Sequence, residues 1–131
     1  MKFKFKKSLG QNFLVDKNIL EKISNVGNIK KNNEILEIGP GTGNLTEYLI
    51  KKNPKKIYLI EKDRSLCEVL RDKFGNKAII FNNDFLNFSK FKNFGDDLII
   101  FGNLPYNVSS QILTKLIIND EKIKFQKIIF M

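Results

Sequence analysis

Residues 34–50 read EILEIGPGTGNLTEYLI, and the order of their parts decides the fold. EILEI sets Ile35 and Leu36 side by side, so apolar residues face both ways, as in a strand covered on two sides. Glycines follow at 39, 41 and 43, and the continuation NLTEYLIKK places Leu45, Tyr48 and Leu49 on one helical face before Asn53 and Pro54 stop it. A strand, a glycine turn and a helix form the first part of a unit whose next strand lies parallel to the first.

Outward from this stretch the pattern repeats. Upstream, DKNILEKISNVG (16–27) predicts a helix capped by Asp16, with Ile19, Leu20, Ile23 and Val26 as its apolar face and Gly27 as its end. Downstream, KKIYLIE (55–61) predicts a second strand. Ser65 with Glu68 has the spacing of a capping box, followed by a buried stripe of Leu66, Val69, Leu70 and Phe74 that Gly75 closes. Further strands are predicted at 77–82, 97–101 and 127–131, with a helix over 108–118 whose Ile112, Leu113, Leu116 and Ile117 face inward. FLNFSKFKNFGDD (85–97) is a crossover of undefined helicity. The whole predicts an α/β fold with a doubly wound parallel sheet.

Composition narrows the function. The chain has 131 residues, enough for one domain with a core. Hydrophobic residues make up 42% and charged ones 28%, which argues against disorder. No apolar run reaches the roughly 18 residues of a membrane span, and MKFKFKK lacks the apolar region of a secretion signal, so a cytoplasmic setting is expected. The absence of His removes the usual bases, zinc sites and Ser/His triads, and no metal is expected. Cys67, the single cysteine, cannot pair internally and reads as a small apolar residue. The net charge of +9 suits a nucleic-acid partner, yet only Arg64 and Arg71 among 23 basic residues are Arg, a bias that codon usage alone produces. The basic arm, about residues 1–10, reads either as an RNA contact or as a solvated tail.

In a sheet wound this way, ligands lie beyond the carboxyl ends of the strands. Gly39 and Gly41 after the first strand let the main chain turn tightly and approach a ligand. G-P-G-T-G departs from the G-x-G-x-x-G of a dinucleotide fingerprint. The second strand ends in Glu61, 22 residues after Gly39, where a carboxylate accepts hydrogen bonds from both hydroxyls of a ribose. The third ends in Asn82, Asn83 and Asp84, where a carboxylate accepts from the exocyclic amine of adenine. Singly, Glu61 and Asp84 are surface carboxylates; in order at consecutive strand ends they line one cleft for an adenosine-bearing cofactor. With no P-loop Lys and no pyrophosphate fingerprint, S-adenosylmethionine fits better than a nucleotide.

QNFLVD (11–16), EIGPGTGNLT (37–46), IEKD (60–63), NND (82–84) and FGNLPYNVSS (101–110) together resemble the family of ribosomal RNA adenine N6,N6-dimethyltransferases, and NLPYNVSS is closer to its small-subunit branch. The resemblance implies a Rossmann-like S-adenosylmethionine-dependent methyltransferase that adds two methyl groups in succession to adenines of small-subunit ribosomal RNA, flipped out into the pocket. It implies that Asn12 and Leu14 close over the methionine end of the cofactor, with Asn12 touching it, and that Asn103 lies at both cofactor and target.

NLPY suits that chemistry. The lone pair of the adenine amine is drawn into the ring, so the nitrogen attacks only when two acceptors hold its hydrogens. The Asn103 side-chain oxygen is one, and the main-chain oxygen of Leu104 or Pro105 is the other, with Pro105 fixing the backbone. Tyr106 stacks on the extracted base, a contact worth about 1–3 kcal/mol. The methylated amine is acidic enough to lose its proton to water, so no strong base is needed. Alone, these four residues also fit an ordinary strand-to-helix turn; the three ordered strand-end sites before them favour catalysis.

The resemblance takes in this whole chain and about the first half of a family member. A partial catalytic domain over 1–131 is expected, its sheet cut after the fifth strand, without the helical domain associated with RNA recognition. Two other readings are a noncatalytic RNA-binding or ribosome-assembly module on the same fold, and a nucleotide-dependent oxidoreductase, which G-P-G-T-G and NLPY disfavour. The intact enzyme is expected to be a monomer that meets ribosomal RNA or a small-subunit precursor. In this chain IIFM offers unpaired amides and carbonyls to a passing strand, so self-association, marginal stability and weak activity are expected. Light scattering combined with thermal melting checks this, and a monomeric sample that melts cooperatively at high temperature overturns it.

Overall fold

The computed structural model describes residues 16–119 and 122–131. Strands β1 (Glu34–Ile38), β2 (Lys56–Glu61), β3 (Ile79–Asn82), β4 (Leu98–Gly102) and β5 (Phe125–Phe130) form one parallel sheet in the order β3-β2-β1-β4-β5. Helices α1 (Lys17–Val26), α2 (Asn44–Ile50), α3 (Arg64–Phe74) and α4 (Tyr106–Ile118) connect and cover it. Successive strands are added on one side of β1 as far as β3 and then on the other from β4, so the winding reverses between β1 and β4. The α/β, doubly wound reading of the sequence holds.

The lack of alternation in the strands has a direct cause. Every residue of β1 and β4 is buried. Ile35, Leu59 and Ile99 enter a core with Leu20, Leu45, Leu49 and Phe74 from the first three helices. Their neighbours Leu36, Ile60 and Ile100 enter a second core with Phe85, Phe88, Ile112 and Leu116 on the opposite face. Each fully buried Leu or Ile contributes on the order of 1.5–3 kcal/mol, so both faces of the sheet are needed to hold it.

Three helix readings need correction. On α1 only Leu20 and Ser24 are buried, while Ile19 and Val26 are 45% and 63% exposed. Small residues set that face: a Cβ on Gly27 would lie 2.7 Å from Phe101 Cζ, so Ser24 and Gly27 let the helix end approach the sheet where larger side chains would hold it away. On α3 the cap is Asp63 rather than Ser65; its Oδ1 accepts from the amides of Ser65 and Leu66 and from Ser65 Oγ at 2.9, 3.4 and 2.6 Å. Glu68 instead lies 3.9 Å from exposed Arg64, and Cys67 rather than Val69 is fully buried. On α4, which begins at Tyr106, Ile112 and Leu116 face inward, but Leu113 and Ile117 are 40% and 62% exposed. The inward row is completed by Lys115, which bonds to the carbonyls of Phe85, Leu86 and Phe88.

The crossover contains two short 3-10 turns, Phe85–Asn87 and Phe91–Asn93. Phe88 is its hub, with ring centroids 5.2, 5.8 and 5.7 Å from those of Phe81, Phe91 and Phe94. Tyr58 of β2 pins the assembly, its hydroxyl 2.7 Å from the Asn93 carbonyl and 3.2 Å from Glu34 Oε1. Burial, then the Glu34 charge, pushes this phenol up to about 12. Tyr58→Phe leaves the Glu34 carboxylate and the Asn93 carbonyl without that donor, so a loss of about 1–3 kcal/mol is expected in denaturant melts; an unchanged midpoint would mean the pin contributes nothing.

Candidate active site

β1 ends at Ile38, and the glycine turn follows. Gly39 and Gly43 have φ of +67° and +85°, which side chains resist. Space is equally restrictive, since a Cβ on Gly39 would lie 2.6 Å from Leu104 Cδ2 and one on Gly43 would lie 2.5 Å from Phe74 Cε2. The turn after β1 and the turn after β4 are therefore packed against each other. Gly41 donates its N–H to Glu61 Oε2 at 3.1 Å, and Asp63 donates its own to Glu61 Oε1 at 2.9 Å. Glu61 is only 6% exposed; burial raises its affinity for a proton, and these two amides oppose the shift.

At the end of β3, the Asn82 amide donates to the carbonyls of Glu61 and Lys62, each at 3.1 Å. Asp84 opens the first 3-10 turn, accepting from the Leu86 N–H at 3.1 Å, with Lys62 Nζ 3.9 Å from its other oxygen. Beyond β4, Pro105 adopts φ −54° and ψ 145°, and its carbonyl accepts the Ser109 N–H at 2.9 Å in the first turn of α4. The Leu104 carbonyl meets only the Ser109 hydroxyl, at 3.4 Å, and no hydrogen bond engages the Asn103 side chain, both among the described residues.

These strand ends enclose a cavity of about 260 Å³. Gly39, Gly41, Glu61, Asp84, Asn103, Leu104 and Pro105 all line it. Tyr106 does not; it begins α4 beside Pro105 and is 90% exposed. Asn12 and Leu14 lie outside the described residues. Lys62, Asn107 and Gln111 also line the cavity, with no sequence expectation attached to them, and so does Leu66, expected only as a core residue of its helix. For Asn107 and Gln111 a signal existed, because residues four apart on a helix starting at NLPY share a face.

Glu37 was also passed over. It is 2% exposed beneath the glycine turn and accepts from Thr46 Oγ1. Burial pushes its carboxyl up to about 7, opposed by the Thr46 bond and reinforced by the nearby Glu61. The signal was an acid set between the apolar Leu36 and Ile38. Cys67 offers no nucleophile: burial pushes its thiol up to about 11, and Sγ sits 3.4 Å from the Glu61 carbonyl. Among the described residues no cluster of His, Cys, Asp or Glu could hold a metal.

A parallel sheet whose winding reverses above a glycine turn, with an acid ending the next strand, places the chain in the class of Rossmann-like S-adenosylmethionine-dependent methyltransferase folds. Solved structures agree. The 23S rRNA methyltransferase ErmE superimposes with a TM-score of 0.76 at 24% identity, over 91% of this chain and 48% of that one. A dimethyladenosine transferase from Plasmodium falciparum gives 0.75 at 29% identity, over 91% and 43%. The ribosomal RNA adenine dimethylase family matches residues 2–131, and the chain belongs to that family. It is 53% identical over 116 residues to ribosomal RNA small subunit methyltransferase A of Pelagibacter ubique, covering 88% of this chain and 44% of the relative. To the protein of that name from Francisella tularensis subsp. novicida it is 46% identical over 128 residues, covering 93% and 48%. The chain thus spans about half the length of these curated relatives.

Glu37 gives the site a pH signature. Its folded-state value of about 7 lies above its ordinary 4.5, so the folded chain holds the proton more tightly than the unfolded one. The group therefore favours folding at acid pH, and that contribution is lost as pH rises from 4.5 through about 7. Glu37→Gln is expected to remove this slope and to stabilise the chain at pH 8 by up to about 3 kcal/mol, with little effect at pH 4.5. Denaturant melts across that range check it; parallel curves for the two proteins overturn the assignment.

Proposed function

We propose that this chain supplies the catalytic part of an S-adenosylmethionine-dependent adenine N6,N6-dimethyltransferase that acts in the cytoplasm on small-subunit ribosomal RNA during ribosome assembly. The convergence of four strand ends on one cavity carries this reading. The donor set fits the cofactor. Glu61, which accepts the main-chain amides of Gly41 and Asp63, lines the cavity as the acceptor for a ribose, Ile60 and Leu66 offer apolar walls to adenine, and Asp84 is the acceptor assigned to its amine. No helix among the described residues is long and apolar enough to cross a membrane.

S-adenosylmethionine, when bound, supplies a sulfonium methyl open to attack by a neutral amine. The chain must then hold the target nitrogen with its lone pair aimed at that methyl. The Asn103 oxygen is one acceptor, uncommitted within the described residues. The second is the Leu104 carbonyl, because the Pro105 carbonyl already serves the first turn of α4 while the Leu104 oxygen has only a 3.4 Å contact. Both line the cavity, and Leu104 occupies the space that the missing side chain of Gly39 leaves. Tyr106, exposed beside them, is the stacking surface for an incoming base.

Calorimetric titration tests cofactor choice, with S-adenosylmethionine expected to bind and NAD not. Asn103→Ala is expected to keep cofactor affinity within about threefold while transfer from labelled cofactor to undermethylated small subunits falls at least about 100-fold. Binding of NAD alone, or methylation undiminished by the substitution, overturns the reading.

A further inference from the structure

The geometry points to Lys115 as a positioning residue, a clamp from α4 that holds the turn carrying Asp84 and so fixes one wall of the cavity relative to the NLPY turn at the start of the same helix. This rests on the proposed cofactor site and adds to it a residue that does not itself line the cavity.

A lysine on a surface helix normally extends its ammonium into water. Lys115 does the reverse. Its Nζ donates to the carbonyls of Phe85, Leu86 and Phe88 at 2.6, 2.8 and 2.7 Å, matching the three hydrogens of the ammonium to three main-chain acceptors. The same nitrogen stands 5.2 Å from the Phe85 ring centroid and 5.5 Å from that of Phe91. Burial lowers the ammonium's hold on its proton, and the Asp84 charge opposes that shift. The cation is thus held between the aromatic crossover and the acid that begins it.

The three carbonyls belong to one turn. Asp84 caps it through the Leu86 N–H, and the Phe88 N–H closes it on the Phe85 carbonyl at 3.1 Å. Asp84, Phe85 and Leu86 form one side of the cavity, while Val108, Gln111 and Ile112 of α4 form another. Carbonyls that converge on one point repel one another and need a donor; an apolar side chain of similar length fills the space but leaves the Leu86 and Phe88 carbonyls without theirs and the Phe85 carbonyl with the Phe88 N–H alone. Without the cation the turn opens, and Asp84 loses its aim at the adenine amine.

Lys115→Met keeps length and apolar volume but removes the donors. In the cofactor-free chain it is expected to speed hydrogen exchange of the Leu86 and Phe88 amides about tenfold while β1 and β4 amides are unchanged. Affinity for S-adenosylhomocysteine, the cofactor without its methyl, is expected to fall about tenfold, but less than twofold in an Asp84→Asn background, because a clamp acting through Asp84 has nothing left to position there. A merely structural lysine would lower affinity equally in both backgrounds. Lys115→Gln, with the same readouts, serves if Lys115→Met does not fold. Unchanged exchange at both amides, or equal losses with and without Asp84, overturns the proposal. If the unsubstituted chain does not bind S-adenosylhomocysteine, the proposed function fails instead, and exchange alone decides the clamp.

Discussion

Burying a carboxylate costs several kcal/mol unless its oxygens find donors, and Glu61 finds main-chain amides, among them those of Gly41 and Asp63 from the segments that shape the site. Through Gly41 it holds the glycine turn; through Asp63 it holds the residue that caps α3. Its own carbonyl takes the Asn82 side chain, which ties in the end of β3. Three strand ends are thereby fixed around one residue. A shorter acid at that position could not reach both amides, and the turn after β1 would lose its link to β2.

The turn beyond β4 meets the turn beyond β1 by packing. Leu104 fills the space above Gly39 that any side chain would occupy, so the turn after β4 rests on the turn after β1 without a hydrogen bond. Close packing of this kind tolerates little displacement. From there α4 runs back over the crossover, where the ammonium of Lys115 meets main-chain carbonyls. The positions of Asn103 and Asp84 relative to each other therefore depend on the amides around Glu61, on the packing of Leu104 over Gly39 and on the bonds of Lys115.

Strand positions were legible because burial on both faces leaves apolar residues next to each other, as Ile35 and Leu36 show. The residues gathered at the cavity were legible because the ends of parallel strands share one edge of the sheet. What periodicity could not show was depth. Ser24 and Gly27 bring α1 close to Phe101 because they are small, and a count of large apolar residues overlooks them. Leu113 and Ile117 look like core residues beside Ile112 and Leu116, yet the inward place between them belongs to Lys115, whose partners are main-chain carbonyls that no sequence pattern marks. The cap of α3 was misread for a related reason: Ser65 has the right spacing to Glu68, but Asp63 already accepts the free amides.

Charge is arranged unevenly, and this bears on how a strongly basic chain would take up a cationic methyl donor. The net +9 lies in Lys and Arg, whereas Glu37, Glu61 and Asp84 collect at the carboxyl end of the sheet. Their contributions differ. Burial pushes Glu37 up to about 7, so it is only partly ionised at neutral pH, and Asp84 faces Lys62 at 3.9 Å with Lys115 close enough to feel its charge. Burial raises the proton affinity of Glu61 too, its amide donors from Asp63 and Gly41 oppose that, and the charge of Asp63 reinforces it. A sulfonium-bearing nucleoside anchored by its ribose at the end of β2 would lie among these acids while the lysine-rich exterior remains available to phosphate.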